Sequence, residues 1–256
     1  MLESKFQQLL DSQKHERIGG GCSGDAVYFL SEMPAYLKIG NLAENSDLLW
    51  ERRALDWLAG KFPVPAVIDF DRNEHTEFIL ISNIRGNPAS EIELSIETAP
   101  DFILKAATAL KRFHEIPIGY CPLDQRLDAK LAKARENFQG GYVDEGDFDN
   151  GRIGQSAEQL YRELCRTPPA DEDLVFTHGD FCLPNIIVNN GEIAGLIDLD
   201  RAGVADRYQD VALFLRSFES NCAAKIDYQK IFCEAYGIDE IAPDKIDYYM
   251  KLDELF

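Results

Sequence analysis

Short runs of alternating apolar and polar residues fill the first third of the chain. Because turn-forming glycine and proline separate these runs, they predict five strands, over 15–20, 26–31, 35–39, 67–71 and 78–82. Leucines at helical spacing predict a helix over 46–59, for which Ser46 is available as the N-cap. The first third is therefore predicted to be a five-stranded sheet with one inserted helix.

Beyond Pro100 the apolar positions recur mainly at helical spacing. This spacing predicts helices over 101–116, 127–138, 155–165, 205–218 and 244–255. Short apolar runs at Leu174–Thr177, Ile186–Val188 and Ile193–Ile197 predict strands between these helices. The fold class is therefore α+β, with a small N-terminal lobe that carries a five-stranded antiparallel sheet (residues 1–86) and a larger, mainly helical C-terminal lobe (residues 87–256).

Charge and cysteine usage narrow the classes of partner. The chain has 45 acidic and 26 basic residues and a formal charge of -19, which repels nucleic-acid phosphates and anionic membranes and attracts cationic ligands. Neither nucleic acid nor a membrane is expected as a partner. The six cysteines show no disulfide framework or zinc spacing, and no segment resembles a signal peptide or a membrane span. We expect a protein of the reducing cytoplasm.

The strongest chemical signal is the run HGDFCLPN at His178–Asn185. It fits the kinase catalytic-loop template, His-x-Asp with Asn five positions after the Asp. Asp198 ends the apolar run IAGLI, where a carboxylate can leave a strand; taken alone, it could equally be a turn residue. Phosphoryl transfer requires a group that orients the acceptor hydroxyl and oxygen ligands that hold magnesium. Asp180 is thus the candidate catalytic residue, and Asn185 and Asp198 are the candidate metal ligands.

Two charged residues in the first lobe complete this pattern. Lys38 lies in the predicted strand AYLKI, and Glu51, thirteen positions later in the predicted helix, can orient its ammonium toward nucleotide phosphates. The turn GGGCSGD, Gly19–Asp25, can approach phosphates through its main-chain N–H groups. A solvated edge lysine and a ligand-free hairpin turn are the other interpretations of these two features.

The order of these residues resembles the protein-kinase-like fold in its antibiotic-kinase branch. The longer runs FTHGDFCLPNIIV, IDLDRAGVADRYQDVALFLRSF and the terminal LDELF are similar to the aminoglycoside 3′-phosphotransferase family. With KFPVP and YLK included, the similarity extends over nearly the whole chain. The resemblance implies a bilobal kinase fold and the catalytic, metal-binding and phosphate-binding roles given above.

The resemblance also implies residues that contact the nucleotide, which is ATP, with GTP as the alternative, together with Mg²⁺. Tyr36 matches an aromatic residue that stacks on adenine, and Ser23 matches a hydroxyl of the phosphate loop. Ser82 and Ile84 lie in the stretch that matches the family's hinge segment, whose main-chain groups would form hydrogen bonds with adenine.

For the substrate, the family pattern implies a carboxylate-lined cleft in the second lobe that binds an amine-rich molecule. The implied residues are Asp147, Asp149, Arg201, Arg216, Asp253, Glu254 and the terminal carboxylate of Phe256. Two departures affect the range of substrates: Asp200 replaces a frequent glycine, and Ser217 replaces an acidic residue, with Glu219 as a possible substitute.

The implied function is ATP-dependent phosphorylation of the 3′-hydroxyl of kanamycin- or neomycin-type aminoglycosides, which confers resistance, by a monomer or weak dimer. Three alternatives remain at this stage. They are a kinase of another small molecule (choline, macrolide, homoserine or thiosugar), a nucleotide-binding pseudokinase, and an acidic binding protein without catalysis.

Overall fold

The computed structural model describes residues 2–18, 25–44, 46–149, 151–222 and 225–256. The chain divides into two compact units. The first contains Met1–Arg85 with Ala194–Asp200, and the second contains Gly86–Ile193 with Arg201–Phe256. The segment that carries Asp198 therefore belongs to the first unit, although it lies far along the chain.

The first unit is an antiparallel sheet with two helices. Its elements are α1 (Leu2–Ser12), β1 (His15–Ile18), β2 (Ala26–Leu30), β3 (Ala35–Asn41), α2 (Leu48–Leu58), β4 (Val67–Arg72) and β5 (Thr76–Ser82). The strands are ordered β1-β2-β3-β5-β4, and every neighbouring pair is antiparallel. The predicted five-stranded sheet is thereby confirmed.

Packing of α1 on this sheet was not foreseen. Phe6 of α1 is buried and stacks on Phe78 of β5 with ring centroids 4.5 Å apart. Leu10 joins the same cluster, together with Leu37 from the middle of β3. Burial of these side chains stabilises the helix on the sheet, at about 1.5–3 kcal/mol for each fully buried large apolar residue.

The N-cap of α2 differs from the prediction by one residue. Asp47, and not Ser46, accepts a hydrogen bond from the main-chain N–H of Trp50 at 3.1 Å. An Asp cap also places a negative charge at the positive end of the helix dipole, which favours it over Ser.

The second unit contains the remaining helices and several short strands. They are β6 (Asn87–Pro88), α3 (Ala99–His114), α4 (Leu127–Gly140), α5 (Ala157–Arg166), β7 (Leu174–Thr177), β8 (Ile186–Asn189), β10 (Gly203–Asp206), α6 (Tyr208–Asn221), α7 (Tyr228–Tyr236) and α8 (Pro243–Asp253). Strand β9 (Glu192–Leu196) begins in this unit and ends in the first. The α+β fold class is confirmed.

One predicted helix begins later than expected. The predicted helix 205–218 starts at Tyr208, because Gly203–Asp206 forms β10 and pairs antiparallel with β7. This pairing matters for the site, since it fixes the end of β7, after which the candidate catalytic loop begins. Helix α7 was not predicted from the sequence.

Among the described residues, no helix is both long enough and apolar enough to cross a lipid bilayer.

Candidate active site

A buried ionic cluster is built around Lys38 in the first unit. Lys38 lies in β3, between β2 and β5, with Val27 and Ile79 as its cross-strand neighbours. Its ammonium donates hydrogen bonds to both carboxylate oxygens of Glu51, at 2.8 and 2.9 Å, and to Oδ1 of Asp198 at 2.8 Å. The predicted pair of Lys38 and Glu51 is thus formed, and Asp198 is added to it.

Burial sets the electrostatics of this cluster. Burial alone would lower the pKa of Lys38, but the carboxylates of Asp198 and Glu51 outweigh it, so the pKa lies well above its usual value. Burial raises the pKa of Glu51, and the charge of Lys38 opposes that rise. Asp198 is the exposed member, with 48% of its side chain accessible, against 13% for Lys38 and 1% for Glu51. A permanently charged lysine with one accessible carboxylate beside it suits the binding of an anionic ligand and its cation.

Three of the predicted nucleotide contacts, Tyr36, Ser82 and Ile84, lie among the described residues. Tyr36 precedes Lys38 by two residues on β3, so that both side chains are on one face of the sheet. Ser82 ends β5, and Ile84 follows it. Ser23 lies outside the described residues. The roles of these residues in nucleotide binding stay predictions.

Asp180 and Asn185 form a hydrogen-bonded pair in the second unit. They belong to the catalytic loop, residues 178–185, which directly follows β7. The side-chain amide of Asn185 donates to Oδ2 of Asp180 at 2.9 Å and to its main-chain carbonyl oxygen at 3.0 Å. Asn185 is buried, whereas Asp180 is half-buried. The asparagine therefore orients a carboxylate that remains accessible to a substrate.

A buried carboxylate on α6 holds the main chain of this loop. Asp210 accepts hydrogen bonds from the main-chain N–H groups of His178 and Gly179, at 2.7 and 2.8 Å. Its Oδ2 also accepts from Nε2 of His114 at 2.9 Å, and Nδ1 of His114 lies 2.5 Å from the hydroxyl of Tyr236. Burial favours a raised pKa for Asp210, but the hydrogen bond and charge of His114 outweigh it and lower the pKa. Asp210 is thus an ionised, fully satisfied anchor.

The close approach of two segments requires glycine at position 179. Gly179 has φ +87°, in the left-handed region, and a Cβ there would lie 2.1 Å from the carbonyl oxygen of Arg201. Any other amino acid at this position would be strained by the positive φ and would clash with Arg201, so only glycine fits. The amide of Gln209 additionally donates to the carbonyl oxygen of Gly179 at 3.2 Å. The contacts of Gly179 therefore fix the position of Asp180, the next residue in the loop.

The predicted substrate residues form a network of alternating arginines and carboxylates, also in the second unit. Asp253 is its centre: Arg201 contacts one carboxylate oxygen at 2.9 Å, and Arg216 contacts the other. Arg216 also reaches Asp149 at 3.4 Å. Glu254 accepts hydrogen bonds from the main-chain N–H of Asp149 at 3.2 and 3.3 Å. The structure thus brings five of the predicted substrate residues together.

Arg152 belongs to this network but was not singled out in the sequence. Its guanidinium contacts Asp149 at 3.2 Å and Glu254 at 3.0 Å. The cluster is consequently less negative than the sequence suggested, because a third arginine joins Arg201 and Arg216 among its carboxylates. Burial, and then the charge of Asp149, raise the pKa of Glu254 to about 7.

The remaining candidates are less tightly placed. Asp147 is exposed in the loop before Asp149. The ring of Phe256 lies 5.6 Å from the guanidinium of Arg201. The hydroxyl of Ser217, which stands where an acidic residue was expected, accepts a hydrogen bond from the main-chain N–H of Leu183 at 3.0 Å. Ser217 therefore supports the catalytic loop. Asp200 contributes to the electrostatic attraction on Lys38.

Comparison with known proteins settles the class of protein. The model of the phosphotransferase enzyme family matches residues 14–248. An aminoglycoside 3′-phosphotransferase of Niallia circulans is 37% identical over 239 residues, which cover 92% of this chain and 90% of that protein. The chain belongs to the aminoglycoside 3′-phosphotransferase family. The prediction of a kinase is thereby confirmed.

Two solved structures agree with this assignment. The crystal structure of an aminoglycoside 3′-phosphotransferase of type VIII has a TM-score of 0.87 and 31% identity, and the match covers 99% of this chain and 98% of that one. The aminoglycoside phosphotransferase APH(3″)-Id of Streptomyces rimosus, solved with ADP and streptomycin, has a TM-score of 0.82 and 27% identity over 100% and 98% of the two chains. The bilobal kinase-like fold is confirmed.

Proposed function

We propose that this enzyme transfers the γ-phosphoryl group of ATP to the 3′-hydroxyl of kanamycin- or neomycin-type aminoglycosides and so confers resistance to them. The observation that carries the proposal is the oriented, accessible carboxylate of Asp180 in a loop anchored by Asp210. Family membership over the whole chain supports the acceptor. The ADP and streptomycin in the Streptomyces rimosus enzyme support the nucleotide and the class of drug.

In the proposed reaction, the 3′-oxygen attacks the γ-phosphorus and the bond from that phosphorus to the bridging oxygen of ADP breaks. Asp180 orients the hydroxyl and accepts its proton. The amide of Asn185 keeps the Asp180 carboxylate in position as the proton arrives. The products are ADP and the phosphorylated drug.

The phosphates of ATP are assigned to Lys38. Its ammonium is charged at every physiological pH, and Glu51 holds it from the buried side. An ammonium fixed in this way can bind the α- and β-phosphates without first losing side-chain freedom. Because GTP carries the same phosphates, the cluster does not discriminate against GTP.

The donor set also fits magnesium. The amide oxygen of Asn185 and the carboxylate of Asp198 are hard oxygen ligands of the kind that Mg²⁺ prefers. Within the described part of the chain, no group of three or more His, Cys, Asp or Glu side chains could hold a metal ion. Each of these residues would therefore hold an ion together with phosphate oxygens. When bound, Mg²⁺ neutralises charge on those oxygens.

Substrate binding is assigned to the arginine–carboxylate network. Each drug ammonium that reaches Asp149, Asp253 or Glu254 forms a charge-assisted hydrogen bond, and the arginines fix where these carboxylates point. We place the reaction in the cytoplasm, where ATP and the ribosomal target of the drug are found, and assign it to a monomer or weak dimer.

Phosphorylation at the 3″ position is the second candidate, because the 3″ enzyme of Streptomyces rimosus has nearly the same fold similarity as the 3′ enzyme. A coupled assay of ADP release separates the two. Kanamycin, tobramycin and streptomycin are tested in parallel, since tobramycin lacks the 3′-hydroxyl.

Turnover of kanamycin but not of tobramycin or streptomycin is the expected result. Turnover of streptomycin, or equal turnover of kanamycin and tobramycin, would reject the 3′ assignment. Turnover with none of the three would point to another small-molecule kinase or to a pseudokinase.

A further inference from the structure

Lys130, in the first turn of α4, is a buried charge that the proposed reaction does not use. Only 2% of the residue is exposed, although lysine is almost never fully buried without a partner. Its ammonium lies 5.0 Å from the ring centroid of Phe256, the last residue of the chain. This distance is within the range of a cation–π contact, which strengthens as the cation loses water.

A second buried residue of α4 also faces the C-terminus. Asn137 follows Lys130 by seven positions, two helical turns, and so lies on the same side of the helix. Its amide donates a hydrogen bond to the carbonyl oxygen of Leu255 at 2.9 Å. The last two residues of the chain are therefore each held by a polar side chain of one helix face.

The ring of Phe256 is held from another side as well. The guanidinium of Arg201 lies 5.6 Å from the same ring, and this arginine pairs with Asp253 at 2.9 Å. The ring thus connects Lys130 to the arginine–carboxylate network. Moving the ring would displace the Arg201 that orients Asp253.

We propose that Lys130 is a positioning residue for the aminoglycoside: from the protein interior it fixes the ring of Phe256, and through that ring the Arg201 guanidinium that orients the drug-binding carboxylate of Asp253. This inference rests on the proposed function. It assigns to Lys130 an effect on drug affinity and not on the chemical step. Lys130 acts through Phe256 and does not touch the reacting atoms.

The charge of Lys130 is also sensitive to pH. Burial, and then repulsion by Arg201, lower its pKa to about 8, against the attraction of Asp253, Asp210 and Asp180. These groups come from the segment after β9, from α8, from α6 and from the catalytic loop. As pH rises above 8, the ammonium becomes a neutral amine and its attraction to the ring is lost. Drug affinity should fall in the same interval.

The main test is a double-mutant cycle with Lys130→Met and Phe256→Ala, measured as KM for kanamycin and kcat at pH 7. Methionine keeps the length of the side chain and removes the charge, and alanine keeps the main chain and removes the ring. Each single variant should raise KM about tenfold with kcat within about threefold of the native value. The double variant should show nearly the same KM as Phe256→Ala, because both changes remove one contact.

Arg135→Met on the exposed face of α4 is the matched control and should leave KM unchanged. A general loss of packing would not give this pattern, since replacing a buried charge with an apolar residue often leaves the melting temperature unchanged or raises it. If the KM effects of the two variants multiply, or if Lys130→Met binds the drug normally, the proposal is wrong.

Two further measurements separate this proposal from the proposed function. Lys130→Arg keeps a charge that does not titrate, so its KM should rise less than that of the native enzyme between pH 7 and pH 9. The main-chain N–H of Phe256, which donates to the carbonyl oxygen of Asp253, should exchange with solvent faster in Lys130→Met than in the native chain, with no drug present. Equal exchange rates would overturn the role of Lys130 even in an active enzyme, and a native enzyme inactive on kanamycin would instead reject the proposed function.

Discussion

The catalytic loop and the arginine–carboxylate network hold their carboxylates in position by different kinds of contact. The loop is held through its main chain, by the buried Asp210 and by the positive-φ Gly179. The network is held through side chains, in which Arg216 and Arg201 share the two oxygens of Asp253. In the loop two consecutive main-chain N–H groups are fixed, whereas in the network most contacts join the ends of long side chains and only the main-chain N–H of Asp149 is held as well.

This difference follows from what each region has to do. Accepting a proton requires one carboxylate in one position, and main-chain hydrogen bonds to a buried acceptor give that accuracy. Binding several ammonium groups requires carboxylates that can exchange partners. Carboxylates paired with half-buried arginines can do this at a moderate cost in free energy. We therefore expect changes in the loop to lower kcat and changes in the network to raise KM for the drug.

The largest effect should come from Asp180→Asn. This change removes the proton acceptor but keeps the shape of the side chain and the main-chain contact to Asn185, so kcat should fall by about 10²–10⁴-fold at an unchanged melting temperature. Steady-state turnover and a thermal melt check this together. Asp239→Asn, an exposed site far along the chain, is the control. Near-native turnover of Asp180→Asn would remove Asp180 from the mechanism.

Asp210→Asn tests the main-chain anchor itself. An amide supplies one acceptor where two N–H groups and His114 need a carboxylate, so unfolding free energy should fall by about 1–3 kcal/mol. The melting temperature should drop by roughly 2–4 °C for each kcal/mol. Because the loop relaxes, kcat should also fall, by about tenfold, with little change in KM. A rise in KM alone would contradict the comparison.

Asp253→Asn tests the network in the same way. It weakens two charge-assisted contacts at once, so KM for kanamycin should rise about tenfold while kcat changes less than threefold. The control is Asp244→Asn, an exposed residue at the start of the same helix. A fall in kcat larger than the rise in KM would show that the network takes part in the chemical step.

The smallest effect concerns pH. Since the pKa of Glu254 is raised to about 7, lowering the pH from 8 to 6 protonates it and removes its charge. KM should rise a few-fold over this interval relative to Glu254→Gln, which cannot titrate. The drug's own ionisation is common to both enzymes and cancels in the ratio. Parallel profiles of the two enzymes would show that Glu254 does not bind the drug.

Most of the catalytic machinery could be predicted because it lies in local patterns. The run HGDFCLPN placed Asp180 and Asn185 in one loop, and the spacing of Lys38 from Glu51 predicted an ion pair that the structure contains. Asp210 was not predicted, because its role depends on a main-chain contact across 31 residues. Its position at the end of the run DRYQD, four residues after β10, was the only signal.

Arg152 and Lys130 were missed for a different physical reason. Charged residues are usually solvated, and nothing in the local pattern shows that Lys130 turns toward the interior. Only the return of the C-terminus past α4 brings it to Phe256. The N-cap of α2 could not be predicted to the residue for a similar reason. The sequence does not show whether the turn before this helix ends at Ser46 or at Asp47.

The most direct test of the account is the position of the phosphate on the product of kanamycin turnover, read from phosphorus–proton coupling by NMR. The account predicts coupling to the proton at the 3′ carbon, in native enzyme and, at a much lower rate, in Asp180→Asn. Coupling at any other carbon, or no product at all, would contradict it.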